Sequence, residues 1–277
     1  MKTILFPTDF SKNATHAAEY AGMLAKIYDA NIVVLNTYFI PMVPENPMAY
    51  EAQSAIESNK QEAIQDLEKF ASAFISNAHL HPTRVSQRAE YGFPADKIVE
   101  VANEIKADMI VMGTKGASDF LDKWLGTNAQ KVVKEALCPV WVIPSHTHIK
   151  QPQKIMYAAD FKEDETTATQ YFLELVKPLE TLNKVIHIND FFEQNTESVV
   201  HEKVNNLREE FKDDNVLIRN IKREDIIEGL ETYINTFKPN VLALAVHDKS
   251  FLEKIFETSV TKHFVQEAKL PILTFRK

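Results

Sequence analysis

The sequence predicts an α/β protein made of two doubly wound parallel-sheet domains in tandem. Three observations predict it. Short continuous apolar runs alternate with segments of helical period. A proline-bearing, aperiodic stretch divides the chain near its middle. The second half then repeats landmarks of the first in order.

The first element is Ile4-Leu5-Phe6, apolar and ended by Pro7, which reads as a buried strand. Residues Asn13 to Ile27 carry Ala17, Ala18, Ala21, Leu24 and Ala25 at helical spacing, an amphipathic helix with a small-residue packing face. Asn31 to Leu35 is a second strand, so the opening is a βαβ unit. Continuous apolar strands suit a parallel sheet covered on both faces. Residues 39 to 50 hold Pro41, Pro44 and Pro47 and read as a loop. Ser54 to Phe74 is a long helix and Val85 to Ala89 a third strand. Gly92-Phe93-Pro94-Ala95 is a turn that starts a helix running to about Lys106, since proline suits a first helical turn. Met109 to Met112, Asn128 to Ala136 and Pro139 to Ile143 complete the domain as strand, helix and strand.

The stretch from Pro144 to Gln153 carries two prolines and no apolar period. It sets the expected organisation: a domain over 1–144, a linker over 145–153 and a second domain over 154–277. His146 and His148 lack acidic or cysteine neighbours and read as solvated linker residues. Beyond the linker, Lys154 to Phe161 overlays Thr3 to Phe10, Phe251 to Lys254 overlays Phe120 to Lys123, and Leu270 to Phe275 overlays Cys138 to Ile143. The changing offset makes the second copy about twenty residues shorter, and the loss is placed in the loop and long helix after the second strand.

Bulk composition narrows the function. The chain has 277 residues, 45% of them hydrophobic and 25% charged, a folded globular composition. Its formal net charge of -8 argues against nucleic acid as a partner, because that needs a basic face. A small anion held by backbone N–H groups stays open. A single cysteine, Cys138, rules out an intramolecular disulfide. The apolar run at the N-terminus is too short for a signal peptide, and no run approaches a membrane span. The expectation is a cytoplasmic protein.

Half of the six glycines fall in one segment, as Gly113, Gly116 and Gly126. The first two follow the fourth strand, where glycine allows a sharp turn and close approach of a ligand. Gly126, Thr127 and Asn128 precede a helix, whose free N–H groups and dipole hold phosphate. Asp9 follows the first strand. In a sheet of order 3-2-1-4-5 the first and fourth strands are neighbours at the switch point, where ligands bind. Asp9 can accept a hydrogen bond from a ribose or base, and with Ser11 it also reads as a helix-capping region.

The spacing G-x2-G-x9-G-[S/T], as Gly113, Gly116, Gly126 and Thr127, resembles the ATP-binding signature of the universal stress proteins. Phe6 to Ser11, the Gly92 to Ala95 turn and the entry Cys138-Pro139-Val140 match the same family in order. The resemblance covers 1–144 well and 154–277 weakly. It implies an adenine nucleotide alpha hydrolase-like fold. It also implies that ATP, ADP or AMP, with or without Mg, binds at Pro7, Thr8, Asp9, Thr37, Met112, Gly113, Gly116, Gly126, Thr127 and Asn128. A further implication is that fifth strands pair, giving a homodimer or an internal pseudo-dimer; the runs Val140 to Ile143 and Ile272 to Phe275 would otherwise be apolar sheet edges.

The second half departs from this pattern. Leu242 to Ser250 has no glycine, and Glu257 stands where Gly126 stood. A carboxylate there repels phosphate, so the second domain is expected not to bind nucleotide, with Asp160 left as a cap. The overall expectation is a nucleotide-binding stress-response regulator with an unidentified protein partner and no catalytic residues. Slow ATP hydrolysis, with Lys115 near the phosphates, and a protein-interaction module with a structural nucleotide are the alternatives. Lys115 is not a Walker-type lysine, because the G-x4-G-K-[S/T] pattern is missing.

Overall fold

The computed structural model describes residues 2–38, 49–114, 126–159, 164–189, 197–222, 226–246 and 270–276. The chain divides into two compact units with the boundary between Ile149 and Lys150.

The first unit runs β1 (Lys2–Pro7), α1 (Lys12–Tyr28), β2 (Ala30–Tyr38), α2 (Ala49–Ala78), β3 (Val85–Tyr91), α3 (Pro94–Glu104), β4 (Met109–Gly113), α4 (Thr127–Glu135) and β5 (Val140–Ile143). Its strands lie in the order β3-β2-β1-β4-β5. Every neighbouring pair is parallel. The sheet is therefore doubly wound, and the chain reverses direction across it between β1 and β4.

Side-chain size explains how the layers close. Ile4, Leu5 and Phe6 of β1 are fully buried. Helix α1 turns Ala14, Ala17, Ala18, Ala21 and Ala25 inward, and these small residues let it lie close to the sheet. At Gly22 an added Cβ would sit 2.7 Å from the Cβ of Ala78, so the end of α2 crosses α1 at this glycine. The space that the alanines leave beside β1 is filled from α2, where Phe70 and Phe74 stack on Phe6 with centroids 6.1 Å away. Tyr20 of α1 meets Trp141 of β5 at 5.8 Å.

The second unit runs β6 (Lys154–Ala159), α5 (Glu165–Val176), β7 (Leu182–Asn189), α6 (Glu197–Glu210), β8 (Val216–Lys222), α7 (Ile226–Phe237), β9 (Val241–Ala245) and β10 (Ile272–Phe275). Its strands follow the same plan, β10-β9-β6-β7-β8, again all parallel. The shortening falls where the sequence placed it: α2 has 30 residues and its counterpart α6 has 14.

Several boundaries move. Helix α2 begins at Ala49 and ends at Ala78, outlasting the span 54–74 at both ends. The prolines of 39–48 lie outside the described residues. Strand β3 continues to Tyr91 and β4 to Gly113, because each parallel partner still offers backbone groups there.

The duplication extends to single hydrogen bonds. Asn36 Nδ2 donates to the carbonyl of Thr8 at 2.8 Å, and His187 Nδ1 to that of Ala159 at 3.1 Å. The Thr114 amide reaches Ile143 O at 3.1 Å, and the Val246 amide reaches Phe275 O at 2.7 Å. Inward positions Ala14, Ala17, Ala18, Ala21 and Leu24 of α1 recur with the same spacing as Glu165, Ala168, Thr169, Phe172 and Leu175 of α5.

Candidate functional site

A cavity of about 300 Å³ opens in the first unit at the carboxyl ends of its strands. Pro7, Thr8 and Asp9 enter from the end of β1, and Thr37 from β2. Met112 and Gly113 come from β4, and Gly126, Thr127 and Asn128 from the start of α4. Nine of the ten residues singled out in the sequence thus meet at one cleft. The tenth, Gly116, lies outside the described residues, as does Lys115.

The turn after β1 is held by its own side chains. The Thr8 amide donates to Leu35 O at 2.8 Å, which continues the β1–β2 ladder by one residue. Thr8 Oγ1 accepts from the Phe10 amide at 3.0 Å, and Asp9 Oδ1 accepts from the Ser11 amide at 3.0 Å. Phe10 takes φ 61° in this turn. Ser11 then caps α1, its hydroxyl accepting from the Ala14 amide at 3.2 Å. Asp9 therefore shapes the loop through one oxygen while its side chain stays exposed at the cleft.

Gly113 serves a purpose the sequence reading missed. The sequence suggests a sharp turn and close approach of a ligand there; in the fold Gly113 is the last residue of β4 and pairs in register with Ile143. A Cβ on it would lie 3.2 Å from the carbonyl oxygen of Asn13 and 3.5 Å from Ala17. The glycine admits the first turn of α1 beside the cleft.

The two helix N-termini at the cleft differ. That of α1 is closed by Ser11. That of α4 starts from Gly126, at φ -57° and ψ 152°, a residue that supplies no side-chain cap to the leading amides. The amides of Thr127, Asn128 and Ala129 head this helix, and such amides carry the positive end of the helix dipole. Lys131 of α4 forms an ion pair with Asp96 of α3, tying the two helices that flank the opening. The hydrogen bond to Asp96 is the main reason the Lys131 ammonium is held above its ordinary pKa.

Ala14, Leu35, Pro94, Ile98, Ser11 and Thr114 also line the cleft and were not singled out as site residues. The apolar four look like core in a sequence, because a ligand wall and a core use the same residues. Ser11 carried a usable signal, as the capping residue directly after Asp9. Among the described lining residues, Asp9 is the one carboxylate, and no lysine, arginine or histidine is present. No group of three metal-ligating side chains occurs among the described residues. No helix among them is long and apolar enough to cross a membrane.

The second unit's counterpart is built differently. Glu165 stands where Ala14 lines the first cleft. Its side chain is buried and accepts a 2.5 Å hydrogen bond from the hydroxyl of Tyr157, which is fully buried. Ala245 takes the strand-end place of Gly113. Asp160, His247, Asp248 and Glu257 lie outside the described residues.

Comparison with known proteins places this architecture. Residues 1–144 match the model of the universal stress protein family. A universal stress protein of Methanocaldococcus jannaschii is 32% identical over 158 residues, covering 55% of this chain and 84% of that protein. One from Synechocystis is 32% identical over 143 residues, covering 52% and 85%. Among solved structures, a universal stress protein from Archaeoglobus fulgidus aligns over 99% of this chain and 96% of its own, with TM-score 0.71 at 18% identity. A putative universal stress protein from Pseudomonas aeruginosa aligns over 100% and 93%, with TM-score 0.60 at 12% identity. These two structural likenesses are likenesses of fold.

Proposed function

The chain belongs to the universal stress protein family, and from that premise we propose that its first unit binds an adenine nucleotide, ATP or its ADP or AMP relatives, and acts as a stress-response regulator. The observation that carries the reading is the open N-terminus of α4. Gly126 caps none of the leading amides with a side chain, and the cleft lies at the topological switch point. The ligand's phosphates sit at these amides, with Thr127 and Asn128 side chains as further donors. The ribose lies toward Asp9 and the base toward Leu35, Thr37 and Ile98.

The same wall favours binding over chemistry. Asp9 is the sole acid–base group among the described lining residues, and one of its oxygens is engaged by the Ser11 amide. The second unit takes no nucleotide in this reading. A buried carboxylate at Glu165 puts like charge near a phosphate.

Asn128→Asp tests the assignment. A carboxylate at the second helical position stabilises the helix through its dipole, so the fold should persist. The same carboxylate repels phosphate, and nucleotide affinity should fall by about tenfold or more, in line with a like-charge cost of roughly 1–3 kcal/mol in a part-exposed cleft. Titration calorimetry of the unaltered chain should give one nucleotide per polypeptide. Unchanged affinity in the variant, or a stoichiometry near two, contradicts the proposal.

A further inference from the structure

A second cavity, of about 500 Å³, lies within the second unit, between α5, α6 and the starts of β7 and β8. Its apolar lining is Val176 and Phe211, both buried, and half-buried Leu173. Glu174, Glu180, Glu210 and Asp214 stand exposed around it, against one cation, Lys177. Among the described residues none of these four carboxylates makes an ion pair. No three metal-ligating side chains converge there either, so the negative charge is spread along the cavity.

The first unit shows what satisfies a carboxylate at this place in the fold. Asp29 closes α1 in the left-handed conformation, at φ 49°, and Glu180 stands at the same point before β7, at φ 53°. Arg84, the residue directly before β3, reaches Asp29: its Nη2 donates to Oδ1 at 2.6 Å and its Nη1 to the carbonyl oxygen at 3.5 Å. The residue directly before β8 is Asn215, which lines the cavity. The second copy thus keeps the acid and lacks the guanidinium. The buried lining is also more polar. Thr181 and Asn183 take the places of Ala30 and Ile32, and all four are buried.

We infer that this cavity binds a small organic cation, a guanidinium or ammonium group carried on a short alkyl chain. The cationic end takes the place beside Glu180 that Arg84 fills beside Asp29, where a guanidinium forms charge-assisted hydrogen bonds to a carboxylate. The alkyl chain lies along Leu173, Val176 and Phe211, and the other carboxylates complement a second charge. A cavity of this volume is in the range of small-molecule sites.

Agmatine, a butyl chain with a guanidinium at one end and an ammonium at the other, is the probe. Calorimetry of the full chain at low salt should show agmatine binding at one site per polypeptide. Asn215→Arg rebuilds the ion pair of the first unit, and should abolish binding while the thermal unfolding temperature holds or rises. Glu180→Gln should weaken binding about tenfold, the loss of one charge-assisted hydrogen bond. Glu68→Gln removes the same charge from an exposed position on α2 and should leave the affinity unchanged. The site is overturned if the unaltered chain takes up no agmatine, or if either Asn215→Arg or Glu180→Gln binds it as the unaltered chain does. It is equally overturned if Glu68→Gln weakens binding as much as Glu180→Gln, because net charge alone would then attract the ligand.

Discussion

Burial decides the chemistry of Cys138. The thiol sits half-buried before Pro139, and removal from water pushes its pKa up to about 11, with a smaller push from the Asp108 carboxylate. The thiolate is the reactive form, so the folded protein presents an inert thiol at neutral pH. Iodoacetamide should label native Cys138 at pH 8 far more slowly than the denatured chain, and equal rates would contradict the burial. The sign of the linkage follows. The unfolded thiol ionises near its ordinary value of about 8.5, while the folded one keeps its proton. Stability from this group is therefore intact below about pH 8.5 and declines as pH rises toward 11. Tyr157 and Glu165 show burial at work on a pair: the phenol hydroxyl gives a hydrogen bond to a side chain buried inside the second unit.

Helix α7 is anchored at its last turn by two lysines from the sheet. Lys154 Nζ donates to Phe237 O at 3.3 Å, where the helix dipole favours a cation, and lies 5.4 Å from the Phe237 ring centroid. Lys184 Nζ lies 4.3 Å from the same ring and 5.5 Å from that of Tyr233. Burial first, then Arg219 and Lys154, pull the Lys184 pKa below its ordinary value. The ring therefore offsets a local crowding of positive charge. Phe237→Leu should destabilise the protein by about 1–2 kcal/mol in urea titrations. Part of that loss should return in 1 M NaCl, where the remaining repulsion is screened. A loss that ignores salt would mean that packing alone holds this turn. At this scale the sequence was readable wherever the apolar period was sharp, as in β1, α1 and β4. It misled at α2, whose opening residues from Ala49 carry no apolar stripe, so the helix looked shorter than it is.

For the whole molecule, duplication was legible because rare tokens recur, the strand-end Asp and the Leu-Pro or Cys-Pro strand entries. The hydrogen-bond equivalence of Asn36 and His187 was not, since the two share little beyond a donor nitrogen at the same height in the sheet. The cleft divides the same way. The Gly126, Thr127 and Asn128 end, where the phosphates are proposed to sit, stood out in a glycine-poor chain, because glycine followed by two hydrogen-bonding side chains marks a helix start. The apolar end, Leu35, Ile98 and Pro94, did not, because water exclusion selects the same side chains in a core and in a ligand wall.

The bare start of α4 has one further consequence. In the proposed complex the described cleft wall would meet the ligand with dipoles and hydroxyls, and it brings no cationic side chain. Binding of that kind displaces no retained counter-ions, so among the described lining residues the steep loss of affinity with salt seen when lysines and arginines grip phosphates has no source. Meanwhile added salt screens the repulsion between an anion and a chain of net charge -8. Nucleotide affinity measured at roughly 0.05 M and 0.5 M NaCl should stay level or rise slightly, the range spanning well past one screening length. A sharp fall would point to a cation at the phosphates. A level response would mean that occupancy of the proposed site follows the nucleotide concentration alone while the ionic strength around it swings.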